Sequence, residues 1–208
     1  MKMPEAKKIA NYTMRNWLES TESILGVNGL KSVLNHSNLQ KYIDNFPPPD
    51  YEFQIPEEDV KKLFKSLMEL FGQKGSRNLQ LRMGREMVKI ALEKYNKKIV
   101  KALLLAARLV PETRKMRLGL DRYKEEYEQA FPDSVDLQED DDYFLVIQKV
   151  NLMSEGVTSQ VPVCGVYVGT IEYFMEWITG HKHKVEEIEC RAMGYPADVF
   201  RISKAVEE

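Results

Sequence analysis

Four residues of metal-ligating type lie toward the C-terminal end of the 208-residue chain: Cys164, Glu187, Cys190 and Asp198. Two thiolates and two carboxylates can complete a tetrahedral zinc site. Cys164 follows Pro162 at the start of a helical pattern, where the positive end of the helix dipole favours a thiolate. Cys190 sits on a β-prone run, and Asp198 comes just after the turn Gly194-Tyr195-Pro196. One geometric condition applies. Glu187 and Cys190 are three residues apart, which on a regular strand sends them to opposite faces. They meet only if the strand bulges or if Glu187 precedes it. His181 and His183 are nearby substitutes as ligands. The plainer reading is two buried structural cysteines. A Cys164–His183 nucleophilic dyad has only proximity in sequence behind it.

A second group is aromatic. Tyr167, Tyr173, Phe174 and Trp177 crowd one helical segment, and Phe144 lies on the strand-like run before it. Aromatic walls with a few polar groups line small-molecule pockets. The same side chains also serve as core or as a dimer interface. The basic clusters Lys61-Lys62, Lys97-Lys98 and Arg114-Lys115-Arg117 have acidic neighbours and read as solvated helix faces. The acidic run Glu139 to Asp142 lacks the spacing of a calcium loop and reads as a solvated turn. No Gly-x-Gly-x-x-Gly, phosphate loop, Gly-x-Ser-x-Gly elbow or pair of Cys-x-x-Cys elements occurs, so no catalytic residue is singled out.

The elements that must hold these residues follow from pattern. Helices are expected at about 5–25 and 28–36, interrupted near Gly26 and Gly29. Pro47-Pro48-Pro49 marks a connector. Pro56 then opens a helix with Glu57, Glu58 and Asp59 in its first turn and an apolar face of Val60, Leu63, Phe64, Leu67, Met68 and Phe71, closed by Gly72 and Gly75. Helical patterns continue over 77–93, 97–109 and from Pro111 to about Gln129. After Phe131-Pro132-Asp133 the character changes. Residues 143–147 read as a strand, 151–160 as a loop and 162–179 as a helix with the buried stripe Cys164, Val168, Ile171, Met175, Ile178. Residues 184–192 and 199–203 read as two more strands. Helices first and strands later argue an α+β fold with an antiparallel sheet. The chain is expected to be one domain, 1–208, with a mainly helical portion at 1–133 and a binding core at 134–208.

Composition narrows the function classes. Lys plus Arg is 30 and Asp plus Glu is 32, so no basic excess marks a nucleic-acid binder. With 43% hydrophobic and 30% charged residues, the chain has enough apolar content for a globular core. Two cysteines in a chain of this length point to a reducing compartment. No apolar run approaches the ~20 residues of a membrane helix. The polar start, Met1 to Lys8, does not read as a signal peptide. A cytoplasmic location is the expectation.

The C-terminal stretch resembles the 4-vinyl reductase domain family, whose members are also called hydrocarbon-binding or small-molecule-binding domains. The resemblance rests on Val161-Pro162-Val163-Cys164, on Tyr173-Phe174-Met175, and on Glu187-Ile188-Glu189-Cys190 followed by the segment Arg191 to Phe200. The family pattern has a cysteine opening a helix, Glu-x-x-Cys, a glycine turn and a third cysteine eight residues after the second. Asp198 stands at that third place. The resemblance covers about 140–203, with a looser likeness over about 27–95.

The resemblance implies a helical N-terminal part and an antiparallel sheet packed by helices, the fold of haem-based nitric-oxide sensors and of vesicle-tethering TRAPP subunits. It implies a structural zinc ion held by Cys164, Glu187, Cys190 and Asp198. Beside it would lie a pocket for an apolar or aromatic ligand lined by Phe144, Tyr167, Tyr173, Phe174 and Trp177. The expected protein is a homodimeric sensor or carrier, with no nucleic acid and a separate signalling partner. Two other classes stay open: a scaffold like the tethering subunits, and a protein related to tetrapyrrole vinyl reductases. The latter is set back because the chain has no nicotinamide or flavin fingerprint.

Overall fold

The computed structural model describes residues 7–95 and 110–207. The helix expected at 97–109 and the reading of the first residues as a non-signal segment lie outside them. The chain divides into two compact units, residues 1–79 and 80–208.

In the first unit a short strand β1 (Lys8–Ala10) leads directly into helix α1 (Asn11–His36), and β2 (Phe53–Pro56) leads into helix α2 (Glu57–Ile90). β1 and β2 pair antiparallel, Ile9 against Ile55. The sequence pattern showed neither strand, because three or four residues are too few for a visible alternation. The first helix starts at Asn11, later than expected, because the backbone before it is spent on the β1–β2 ladder. Asn11 is buried and donates to Asp50 at 2.8 Å and Gln54 at 3.0 Å. The helix breaks at Gly26 and the next at Gly72, both at positive φ with ψ near 170°. Gly29 and Gly75 stay helical. Trp17 meets Phe64 edge-on at 4.2 Å within this unit's core.

The second unit starts within α2. It contains α3 (Glu112–Ala130), β3 (Val135–Glu139), β4 (Tyr143–Gln148), α4 (Gly165–Thr179), β5 (His183–Glu189) and β6 (Asp198–Val206). The four strands form one antiparallel sheet in the order β3-β4-β6-β5. The fold is thus α+β, helical in its N-terminal part, with helices packed on an antiparallel sheet.

β4 alternates cleanly, burying Phe144, Val146 and Gln148. The stripe Cys164, Val168, Ile171, Met175 and Ile178 is buried throughout. α4 packs on β5 and on α3. Three expectations shift. Pro162 lies in the loop, and the helix starts at Gly165. The run expected as a strand over 184–192 ends at Glu189, and a 3-10 turn, Arg191–Met193, follows. β3 had no signal, because only Val135 of its five residues is buried.

The position of α4 depends on two glycines. A Cβ at Gly84 of α2 would stand 2.0 Å from the Val166 carbonyl oxygen, and one at Gly169 would stand 2.1 Å from that of Leu81. The two backbones touch, and no side chain fits between them.

Candidate functional site

The second unit places the four candidate ligands together. One ligand atom from each of Cys164, Glu187, Cys190 and Asp198 lies within 4.8 Å of all the others, and all four residues are buried. Cys164 immediately precedes α4, Cys190 immediately follows β5, and Asp198 opens β6. The pairing of β5 with β6 slips between Glu187 and Glu189. That irregularity satisfies the geometric condition: it brings Glu187 and Cys190 to the same side.

Each group is engaged by the protein. Asp198 Oδ1 accepts the Arg191 backbone N–H at 2.7 Å, and Oδ2 accepts the Ser154 hydroxyl at 2.6 Å. Glu187 Oε2 accepts the Cys164 backbone N–H at 3.0 Å. Asn151 Nδ2 donates to Cys164 Sγ at 3.3 Å and to Gln148 Oε1 at 3.0 Å. Gln148 in turn donates to the Tyr123 hydroxyl. A chain of buried polar groups therefore runs from α3 to the cluster.

Burial dominates the electrostatics. It pushes the Cys164 thiol well above its ordinary range, helped by a hydrogen bond with Cys190 and by the carboxylates of Glu187 and Asp198. The dipole at the start of α4, expected to favour a thiolate, is outweighed by desolvation and by these negative neighbours. Burial also raises Glu187. Hydrogen bonds from Cys190 and Cys164 oppose that rise, and Asp198 adds to it.

The expected pocket residues fall into separate groups. Phe144 is core on β4. Tyr167 meets Tyr127 edge-on at 5.7 Å and Phe200 at 6.2 Å. Phe174 stacks on Trp177 at 5.8 Å, and Tyr173 is half-buried. Sequence reading missed Tyr123 and Tyr127, which stack at 6.0 Å. Their signal was present: Met116, Leu120, Tyr123 and Tyr127 follow helical spacing on α3. Burial raises the phenols of Tyr123, Tyr127 and Tyr167 above the usual range. A groove of about 430 Å³ opens elsewhere, lined by Val110, Thr113, Arg114, Arg117, Leu118 and Glu139. Two of its arginines belong to the cluster expected as a solvated helix face.

The vinyl-4-reductase domain profile matches residues 145–204, the stretch that holds the four-residue cluster. No curated protein sequence matches the chain. Solved structures match over much more. The Fe(II) unliganded H-NOX protein from K. algicida is 13% identical, with 96% of this chain and 98% of that one covered at a TM-score of 0.62. A single-site mutant of T. Tengcongensis H-NOX is 15% identical, covers 96% and 100%, and also scores 0.62. The phenol-responsive sensory domain of the transcription activator PoxR, solved with phenol, is 16% identical, covers 84% and 89%, and scores 0.53. The chain has the fold of these small-molecule sensors.

Two expectations are corrected by these matches. The chain is not a 4-vinyl reductase family protein along its length: that likeness is confined to 145–204, and the H-NOX fold accounts for nearly all of the chain. The zinc cofactor is overturned with it. The whole-length matches are to H-NOX proteins, one of them described in its Fe(II) form. In this chain the four groups are engaged by backbone and side-chain hydrogen bonds, and Cys164 is held as a thiol.

The residues present do not suit haem either. Haem iron takes an axial His, Cys, Met or Tyr. His36 is bonded to Glu69 at 2.8 Å. His181 Nδ1 is bonded to Glu112, and both ring nitrogens of His183 are engaged. Both thiols belong to the buried cluster. The stretch 96–109 contains no His, Cys, Met or Tyr. The donor set does not fit an iron porphyrin, so no chemistry is derived through one. Among the described residues, no helix is long and apolar enough to cross a membrane.

Proposed function

We propose that the second unit is a sensor or carrier module for a small apolar or aromatic molecule. The observation that carries this reading is the aromatic group Tyr123, Tyr127, Tyr167 and Phe200, set against a buried polar chain on a fold shared with a phenol-responsive domain. Aromatic faces supply area for the ligand, and a few fixed polar groups orient it. Phe144, Tyr173, Phe174 and Trp177 extend the apolar surface along β4 and α4. Cys164, Glu187, Cys190 and Asp198 brace the strand ends and the helix start that carry these rings. The homodimer expected from sequence belongs to the same proposal. It rests on apolar surface in the second unit, where Ile188, Met193 and Tyr195 are exposed.

Calorimetric titration with phenol tests the reading. Saturable binding is expected, weakened about tenfold or more in Tyr167→Ala, a loss of ~1.4 kcal/mol. A second reading, a scaffold for protein assembly, is favoured by the way Tyr123 and Tyr127 already bond to Gln148 and to the Val150 carbonyl, filling the interior with the chain's own groups. No binding of phenol or of a larger aromatic such as naphthol would select the scaffold.

A further inference from the structure

His183 stands between two acceptors. Its Nδ1 lies 3.0 Å from the Ser203 carbonyl oxygen, and its Nε2 lies 3.1 Å from Glu112 Oε1. A carbonyl and an ionised carboxylate only accept hydrogen bonds, and a neutral imidazole carries one N–H. A neutral ring would therefore set a lone pair against one of the two oxygens. With both bonds made, the ring holds two protons and a positive charge. His181 Nδ1 reaches the same Glu112 oxygen at 2.8 Å. The His183 side chain is fully buried, and that of His181 is 55% exposed.

We propose that Glu112, His181 and His183 form a proton-loaded latch between the first turn of α3 and the start of β5. It is closed while the imidazoles are protonated and released when they lose their protons. The latch stands whether or not the unit binds an aromatic ligand.

The groups facing the latch come from each neighbouring element. α3 supplies the Glu112 carboxylate. β6 supplies the Ser203 carbonyl, and its Val206 pairs with His183. Beyond β6, the Glu207 backbone N–H donates to the Lys182 carbonyl. α4 supplies the uncharged Thr179 hydroxyl, bonded to the His181 backbone at 3.0 and 3.1 Å. On the strand itself Lys182 and Lys184 flank the ring, and Lys184 pairs with Glu186 at 2.7 Å. Among the described residues, Glu112 is the carboxylate in bonding contact with either ring.

The pH window follows from signs. Burial pushes Glu112 up, but the bonds and charges of His181 and His183 hold its carboxyl below the ordinary value. The carboxylate thus stays ionised until the pH drops through that lowered value. At the other end, the rings lose protons as the pH rises through the histidine range. The latch is closed between these limits.

The test is ¹⁵N NMR of the imidazoles in the full chain, with amide exchange at Lys115, whose N–H bonds the Pro111 carbonyl in the first turn of α3 at 3.1 Å. At pH 5.5 both His183 nitrogens should carry protons. Between pH 5.5 and 8, exchange at Lys115, corrected for its intrinsic rate, should speed up about tenfold, as one unit of proton linkage gives. Glu112→Gln should abolish that step. His181→Ala removes an exposed ring and should shrink the step while the fold persists, which keeps the test valid if Glu112→Gln fails to fold. A singly protonated His183 at pH 5.5, or an unchanged step in either variant, overturns the latch.

Discussion

The Glu187 carboxylate accepts the Cys164 backbone N–H at 3.0 Å, across 23 residues of chain. This bond ties the end of β5 to the start of α4, and the pairing slip after Glu187 makes it possible. The bonded N–H precedes the first helical turn, a region where helix amides lack partners of their own. Glu187→Ala leaves the N–H buried with no side-chain acceptor. A loss of ~1–3 kcal/mol is expected in chemical denaturation. Glu187→Gln keeps a carbonyl acceptor and should cost less.

The same carboxyl sets a pH dependence. Burial raises Glu187 above its unfolded value. For a raised carboxyl, the folded state binds the proton more tightly. Its contribution is therefore full below the unfolded value of about 4.3 and is lost as the pH rises through the folded value. Unfolding free energy measured stepwise from pH 4 upward should show this decline, and Glu187→Gln should flatten it. A variant with the wild-type slope would assign the decline to another group.

Asp198 is expected to be the costlier carboxylate to remove. Its two oxygens take the Arg191 N–H and the Ser154 hydroxyl, and the residue is fully buried. Asp198→Ala leaves both donors without their partner and should cost ~3 kcal/mol or more. Ser154→Ala should cost only ~1 kcal/mol, because Asp198 keeps its backbone donor. Equal losses in the two variants would show that the Arg191 bond contributes little.

Much of this cluster is legible in the sequence. Cys164, Glu187, Cys190 and Asp198 stand at breaks between a helix and strands, and residues at such breaks can converge. The buried stripe of α4 and the alternation of β4 are legible for the usual reason: large apolar side chains repeat at the period of the element. The supporting polar residues are not. Gln148 ends a strand and Asn151 and Ser154 sit in a loop, where polar side chains carry no burial signal. β1 and β3 are hidden for different reasons, one too short to alternate and the other largely exposed. The zinc reading failed because ligand types at the right spacing do not distinguish a metal from protein hydrogen bonds that hold the same groups.

Cys164 should be an unreactive thiol. Burial and the neighbouring carboxylates hold its proton in place, and only the thiolate attacks. Alkylation by iodoacetamide at pH 8, followed by peptide mass, should leave native Cys164 unmodified over a time in which the urea-unfolded chain reacts completely. Glu187→Gln removes one negative neighbour, so its native Cys164 should react faster than wild type. Prompt modification of native wild-type Cys164 would mean that the cluster opens to solvent.

The crossing of α2 and α4 gives the sharpest steric test. At Gly84 a Cβ would press on the Val166 oxygen at 2.0 Å and on the Thr170 nitrogen at 2.7 Å. At Gly169 it would meet the Leu81 oxygen at 2.1 Å. These are backbone atoms, so no rotamer change relieves the clash and the helices must separate. Gly84→Ala and Gly169→Ala should each cost ~1–3 kcal/mol or more, the upper part of the overpacking range. The double variant should lose less than the sum, because one separation relieves both contacts. Since α4 carries Tyr167, either substitution should also weaken phenol binding if the aromatic group is the ligand site. Full additivity would mean that each clash is relieved by a local shift, leaving the helices in contact.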